Sequence, residues 1–491
     1  MIPRAFVRAR TVLSAFILAA ILTWTISQWR TDNFMPALSY RSRGSQLAPL
    51  DLTAEHQKFW RSFHRYLEAY APDTKPVVED KKAPTEGFKA KDAAPRPEYV
   101  SMDPRDLAKV KEAHAGFVST ITNIPPKLPY NPGTRGVVST AGGSYLPVLM
   151  ISLRMLRRTG STLPVEVFLA NEDEYEDYIC DVVLPELDAR CVVLSRILVT
   201  APAQIEKYQF KPFAILFSSF EEILFLDADA FPLEPPENLF ASEPFRSKGM
   251  VTWPDFWASS VSPLFYEIAG TAVPPMDLRQ STESGEVLLS KKTHLRTLLL
   301  CVYYNYWGPS HYYPLLSQGA AGEGDKETFL AAAMAVGQPF YQVSEGICAL
   351  GHRKEGGMAG SAMAQFNPTQ DYTLTSKGRS RFRDENAPAP DVFFIHANFP
   401  KFNPATVFDK SHEVKPTFLD DGSYTRAWTI PEAVVEKFSA KVDIEKTFWR
   451  EILWTACELE TRFAPWKNHH GICARVQDYW RHVFEPTKPP S

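Results

Sequence analysis

The stretch FEEILFLDADAFPL, residues 220–233, decides how this chain is read. Its run Ile223-Leu224-Phe225-Leu226 suits a strand buried on both faces of a mainly parallel sheet. Two carboxylates, Asp227 and Asp229, follow at the strand's C-terminal end, and Pro232 helps to stop the pairing. Side chains two apart on an extended backbone share a face, so both carboxylates can reach one hard cation. The carboxyl edge of an α/β sheet is also where ligands commonly bind. Asp-x-Asp alone is weak, since a chain this long holds about one by chance. The apolar strand before it and the turn after it mark this one as a metal and diphosphate site. The competing reading is a solvated turn whose aspartates cap the next segment.

Lys211 to Phe220 reads as a helix leading into this strand, and Arg135 to Leu169 as a β-α-β unit. In that unit Val137 to Thr140 is a short strand, and Gly142-Gly143 is a turn where backbone can approach a ligand closely. Such a turn entering a helix can hold phosphate or base, or be a plain tight turn. Neither a G-x-G-x-x-G nor a G-x-x-x-x-G-K-[ST] pattern occurs, which disfavours a dinucleotide dehydrogenase or a P-loop enzyme. Downstream, Met250 to Trp253 is a further strand, followed by Asp255, Phe256 and Trp257. STESGEVLLSKK (281–292) carries Glu283 and Glu286. A Gly-rich loop places Glu323, Asp325 and Glu327 just before an alanine-rich helix. Val392 to Ile395 is a strand ending at His396, with Lys401 five residues later.

Towards the N-terminus, Arg4, Arg8 and Arg10 precede the uncharged run Thr11 to Trp29. As a helix that run reaches roughly 28 Å, enough for a thin bilayer. Arginines ahead of the span predict a cytoplasmic N-terminus and a type II signal anchor; a cleaved signal peptide is the rival. Leu52, Phe59, Trp60, Phe63, Leu67 and Tyr70 form a helical stripe over Asp51 to Ala71. A second helix starts with Asp103 as N-cap and Pro104 at N1. Between them, Asp73 to Pro97 has the composition of a linker. Beyond residue 405 the chain reads as a helical tail, with apolar stripes over Lys441 to Leu459 and Gly471 to Val483. The expected organisation is a tail and anchor (1–30), a stem (31–130), a catalytic domain (131–405) and a C-terminal extension (406–491).

A formal net charge of −4 over 491 residues gives no reason to expect a nucleic-acid partner. Six cysteines without a C-x-x-C pair argue against a zinc ribbon or a thioredoxin-type motif. In an oxidising compartment they fit disulfides, with Cys180–Cys191 and Cys457–Cys473 as local pairs; six buried thiols are the alternative.

FLDADAFPL, WPDFW (253–257), STESGEVL (281–288), YYPLLSQGAAGEGDKETF (312–329) and the H-x-N-x-x-K stretch from His396 to Lys401 together resemble the fungal Golgi α-mannosyltransferases of glycosyltransferase family 71. The resemblance covers roughly residues 133–405. WPDFW stands where the family's α-1,3 branch has a Phe-Phe-x-Asp-Arg-like segment, so the reading leans to α-1,2 over α-1,3.

The resemblance implies an α/β fold of the GT-A type, a nucleotide-sugar-binding mixed sheet flanked by helices, behind an N-terminal transmembrane helix. It also implies Mn²⁺, GDP-mannose as donor, a mannose-terminated glycan as acceptor, and a lumenal catalytic domain in the Golgi membrane. Asp229 would be the first metal ligand, Asp227 a second ligand or the ribose contact, and His396 a third. One imidazole with carboxylates suits Mn²⁺ better than Mg²⁺. A core histidine at a strand end is the alternative for His396.

Lys211 and Lys401, with Gly142 and Gly143, are candidates for the donor diphosphate. Asp325 is the candidate sugar-facing carboxylate, with Glu327, Glu286 or Glu283 behind it, and Asp255 and Trp257 would meet the acceptor. Asp325 would otherwise be a helix N-cap. An α-linked donor and an α-linked product mean retention of configuration, with the departing diphosphate accepting the acceptor's proton.

Two readings from other classes compete. A haloacid-dehalogenase-type phosphohydrolase also ends a strand with Asp-x-Asp, but it would want Gly-Thr or a similar pair next, not Ala230-Phe231-Pro232. A non-catalytic carbohydrate-binding membrane protein would leave Asp-x-Asp, His396 and Lys401 together unexplained.

Overall fold

In the computed structural model, FEEILFL forms β4 (Phe220–Leu226), in the middle of a seven-stranded sheet. The structure describes residues 51–485 except 92–93, 200–204, 323, 380, 382–383 and 385. The anchor expected at residues 11–29 therefore lies outside the described residues. Among these, no helix is long and apolar enough to cross a membrane.

Across the sheet the order is β3 (Ala189–Val193), β2 (Val165–Leu169), β1 (Asn131–Thr140), β4, β7 (Thr282–Ser290), β6 (Met250–Pro254) and β8 (Tyr341–Gln342). Pairing is parallel on the β1 side of β4; on the other side β7 runs antiparallel to both β4 and β6, and β8 pairs parallel to β6. Ile223, Leu224 and Phe225 are completely buried, as the unbroken apolar run required.

A second, antiparallel sheet runs β5 (Ala230–Pro232), β11 (Val392–His396), β10 (Gly357–Phe366), β9 (Cys348–Lys354). The chain passes from the first sheet to the second through Asp227-Ala228-Asp229. The Asp-x-Asp stretch is thus the junction of the two sheets.

Helices cover the sheets. α1 (Thr53–Ala69) and α2 (Pro104–Asn123) come from the stem. α3 (Leu146–Arg158), α4 (Phe210–Phe217) and α5 (Lys291–Tyr306) belong to the strand crossovers. α6 (Tyr313–Ser317) and α7 (Thr328–Ala335) flank the Gly-rich loop. α8 (Ile444–Glu458) and α9 (Ile472–Phe484) close the chain.

The stripe of α1 packs on α4, with Trp60 edge-on to Phe213 at 5.7 Å. In α2, Asp103 accepts from Arg105 N at 2.8 Å as the expected N-cap, and Phe117 stacks on Tyr303 of α5 at 4.3 Å. The stem helices are therefore walls of the central core rather than outlying elements.

The linker reading of residues 73–97 is corrected. Val77 N donates to Ser310 O and Ala83 N to Gln318 O, each at 2.8 Å. A segment too polar for its own core still carries backbone donors and acceptors, and these pair with neighbouring chain.

At the other end, Phe448 of α8 stacks on Phe231 of β5 at 5.1 Å. Glu451 of α8 takes ion pairs from both Arg154 and Arg158 of α3. Cys180–Cys191 and Cys457–Cys473 are disulfides, with Cα separations of 5.6 and 4.5 Å, while Cys301 and Cys348 are free.

Candidate active site

β11 pairs with β5 in a register that sets His396 opposite Ala230. That register brings His396 Nε2 to 3.1 Å from Asp229 Oδ1, while Lys401 bonds the other Asp229 oxygen. β7 pairs with β4 so that Glu286 faces Leu226, and Gly285 O accepts from Asp227 N at 2.8 Å. The same strand brings Glu283 Oε1 to 3.1 Å from His396 Nδ1.

Asp227, Glu283 and His396 each offer a ligand atom, and these atoms lie within 4.8 Å of one another. Glu283 Oε2 and both oxygens of Glu286 are buried and receive no hydrogen bond from a donor group. Buried polar atoms left that way call for a ligand or a proton. A Cβ added to Gly285 would stand 2.5 Å from His396 Nδ1 and 2.6 Å from Glu283 Oε1, so glycine there keeps the cradle open. One imidazole and two carboxylates around such a cradle fit a divalent cation.

Charge is balanced with care. Burial alone would lower His396, but Asp229 and Glu283 outweigh it and hold the imidazole well above its ordinary range. Burial would raise Asp229, yet His396 and Lys401 hold it well below the usual carboxylate range. Burial, with the neighbouring Glu283 charge, pushes Glu286 well above the ordinary carboxylate range. Lys211, buried on α4, stays above the ordinary lysine range because Asp227, Asp325 and Glu283 overcome its desolvation.

Lys211 Nζ lies 3.1 Å from Asp227 Oδ1 and 3.4 Å from Asp325 Oδ2, and donates to Ser284 Oγ at 2.9 Å. Lys211, Asp227, Asp325 and His396 thus converge, as their residue types suggested. Asp325 does not cap α7 with its side chain; its backbone carbonyl instead accepts from Thr328 N at 2.9 Å.

Glu327 is committed elsewhere, accepting from Ser281 Oγ at 2.7 Å and Thr282 N at 2.9 Å. Asp255 pairs with Lys326 at 2.9 Å, beside the half-buried Trp257. The Gly142-Gly143 turn follows β1, and Tyr145 just after it lies under Lys401 at 5.9 Å. Gly142 makes room for the Glu174 carboxylate, which a Cβ would meet at 2.2 Å.

Two features escaped the sequence. Asp229, expected as first metal ligand, is bonded to His396 and Lys401, and Glu283, expected behind Asp325, lies in one group with Asp227 and His396. Ser284 as a partner of Lys211 had no signal, since it depends on the pairing of β7 with β4.

Residues 134–281 and 275–367 match the family model Mannosyl_trans3, a mannosyltransferase family. The chain is 36% identical over 458 residues to the α-1,2-mannosyltransferase MNN2 of Saccharomyces cerevisiae, covering 78% of this chain and 74% of that one. It belongs to this mannosyltransferase family. The α-1,2-mannosyltransferases MNN21 and MNN24 of Candida albicans are 37% and 33% identical over 62% and 73% of this chain. The chain spans 56% and 60% of the length of those two relatives. Among solved structures, the galactosyltransferase LgtC, in complex with donor and acceptor sugar analogues, aligns over 57% of this chain and 91% of that one. Its identity of 12% and TM-score of 0.34 are too slight to argue from.

Proposed function

We propose that this protein is a GT-A-type α-1,2-mannosyltransferase that moves mannose from GDP-mannose to a mannoside acceptor with retention of configuration. The observation that carries the reading is the cradle of Asp227, Glu283 and His396 at the junction of two sheets, flanked by Lys211, Lys401 and Asp325. Membership of a family whose named relatives are α-1,2-mannosyltransferases supports both the reaction class and the linkage.

Asp227, Glu283 and His396 would hold a divalent ion, Mn²⁺ by the mix of imidazole and carboxylate. That ion supplies positive charge against a diphosphate leaving group. Asp229 fixes the His396 ring through Nε2 and so presents Nδ1 to the cradle. Lys401 and Lys211 stand on either side as further cationic groups for phosphate oxygens. Asp325 faces the same space and stabilises positive charge growing on the sugar ring. Asp255 and Trp257 form the acceptor side, where a hydroxyl attacks on the face the diphosphate leaves and the diphosphate takes its proton.

The reading also sets the catalytic domain in the Golgi lumen, on a single-pass type II anchor at residues 11–29. The test is transfer from a panel of nucleotide sugars to defined α-mannosides, with and without Mn²⁺, followed by linkage analysis. Metal-dependent transfer from GDP-mannose giving an α-1,2 product is expected. Hydrolysis of simple phosphate esters without nucleotide-sugar dependence would overturn it.

A further inference from the structure

Gln318 closes α6 in the left-handed region, at φ 50° and ψ 38°, and is fully buried. A residue other than glycine keeps that conformation only where its surroundings hold it. Its side-chain oxygen accepts from Tyr99 N at 2.6 Å. Its amide nitrogen donates to Pro97 O at 2.8 Å and Ser260 O at 2.7 Å, and its backbone carbonyl accepts from Ala83 N at 2.8 Å. One residue thus grips the stem at two points fourteen residues apart and ties both to Ser260, three residues beyond Trp257.

Between those grips the stem lies along the Asp255–Ala258 turn. Glu86 O accepts from Ala258 N at 2.8 Å, and Phe88 N donates to Phe256 O at 3.2 Å, an antiparallel bridge centred on Gly87 and Trp257. The other edge of the turn is held by Ser281 at the entry to β7. Asp255 N donates to Ser281 O at 2.8 Å, and Ser281 N to Trp257 O at 2.9 Å. The turn is therefore fixed from both sides, one of them supplied by the stem. Further along, Thr85 Oγ1 accepts from Ala321 N at 3.3 Å, and Ala321 O accepts from Lys326, the partner of Asp255. These bonds fall on residues 256–260 and 318–321. The donor-side cluster is held instead by β4, β7 and β11.

We propose that this stem strap positions the acceptor: through Gln318 and the Gly87–Trp257 bridge it fixes Trp257 and Asp255 for a mannoside, making the stem part of the active site. The proposal rests on the transferase reading given above. Phe88 and Gln318 are positioning residues, acting through the turn and the Gly-rich loop rather than by touching the sugar.

The test uses the full chain, with GDP-mannose as donor and α-mannobiose as acceptor. Phe88→Pro removes the amide that bonds Phe256 O, while Phe88→Ala keeps it. In Phe88→Pro the acceptor KM is expected to rise about tenfold, well beyond any rise in Phe88→Ala, while the donor KM moves less than about twofold. Gln318→Ala is expected to shift the acceptor KM in the same direction. Should Gln318→Ala fail to fold, the two Phe88 variants decide the matter. An unchanged acceptor KM in Phe88→Pro, or equal rises in both KM values, overturns the proposal. A wild-type chain that consumes no GDP-mannose overturns the transferase reading instead, a result separable from either.

Discussion

His396 Nε2 stands 3.1 Å from Asp229 Oδ1, although 167 residues separate them in the chain. The contact exists because β5 and β11 pair at Ala230 and His396, and it settles which imidazole nitrogen faces the cradle. Asp229 is itself buried, so its removal touches the packing of the junction as well as its charge. Removing its charge leaves the buried His396 beside a partly exposed Lys401; deleting one partner of a buried pair costs about 3–5 kcal/mol, and solvent at Lys401 lowers that figure. Asp229→Asn, which keeps the shape, is expected to weaken Mn²⁺ binding about 10–100-fold. Calorimetric titration with Mn²⁺ checks this; wild-type affinity in the variant would show that Asp229 does not orient the site.

Gly285 gives a more local probe. Its added Cβ would press on His396 Nδ1 and Glu283 Oε1 while leaving the charges of the cluster in place. Gly285→Ala is therefore expected to lose most of the thermal stabilisation that Mn²⁺ confers on the wild type, at least about 2–3 kcal/mol at saturating metal. The comparison is the melting temperature with and without Mn²⁺. An equal metal-induced shift in both proteins would place the ion elsewhere.

The stem helices carry a pH dependence of their own. Burial pushes His56 of α1 down to about 4, helped by the charge of Lys291, and burial alone does the same to His114 of α2. His114 Nε2 lies 2.7 Å from Tyr304 OH on α5, and His56 Nε2 lies 3.1 Å from Pro129 O. In the unfolded chain each titrates near the ordinary 6.5, so between pH 6.5 and 4 the unfolded state binds more protons. Stability is accordingly full above about pH 6.5 and falls as the pH drops towards 4, by up to about 3 kcal/mol per histidine. Denaturant unfolding at pH 7 and pH 5 measures the fall. His114→Gln is expected to flatten the curve, and an unaltered slope would remove His114 from the account.

Much of this was legible because the relevant signals are local. The apolar run of β4, the stripe of α1, the Asp103-Pro104 start of α2 and the two short-range disulfides each follow from neighbouring residues. The convergence of Asp227, Asp325, Lys211 and His396 was anticipated from residue type and position at element ends. What stayed hidden depends on pairings between distant segments. The place of Glu283 beside Asp227 and His396 follows from β7 lying next to β4, an arrangement that periodicity does not encode. The strap along Trp257 was hidden for a related reason. Its Pro- and Lys-rich composition describes how little it buries, not where its backbone amides find partners.

Glu451 shows how the C-terminal helices are bound to the rest. It is completely buried on α8 and receives both Arg154 and Arg158 from α3, the helix that follows the Gly142-Gly143 turn. Arg154 also lies over the Trp454 ring at 3.6 Å, so its guanidinium is held on two sides by α8. Truncating the carboxylate leaves a buried guanidinium without its counter-charge, which costs about 3–5 kcal/mol. An isosteric Glu451→Gln keeps one acceptor and loses the charge, so a smaller loss, about 2–3 kcal/mol, is expected from it. Because α3 carries the turn beside Tyr145 and Lys401, the damage should reach the donor side. Glu451→Ala is expected to raise the KM for GDP-mannose as well as lower the melting temperature, whereas Glu451→Gln should lower stability with little change in KM. Equal stability of Glu451→Ala and wild type in denaturant unfolding would mean that α8 is held by its other contacts, among them Phe448 against Phe231 and Trp428, and the Cys457–Cys473 disulfide.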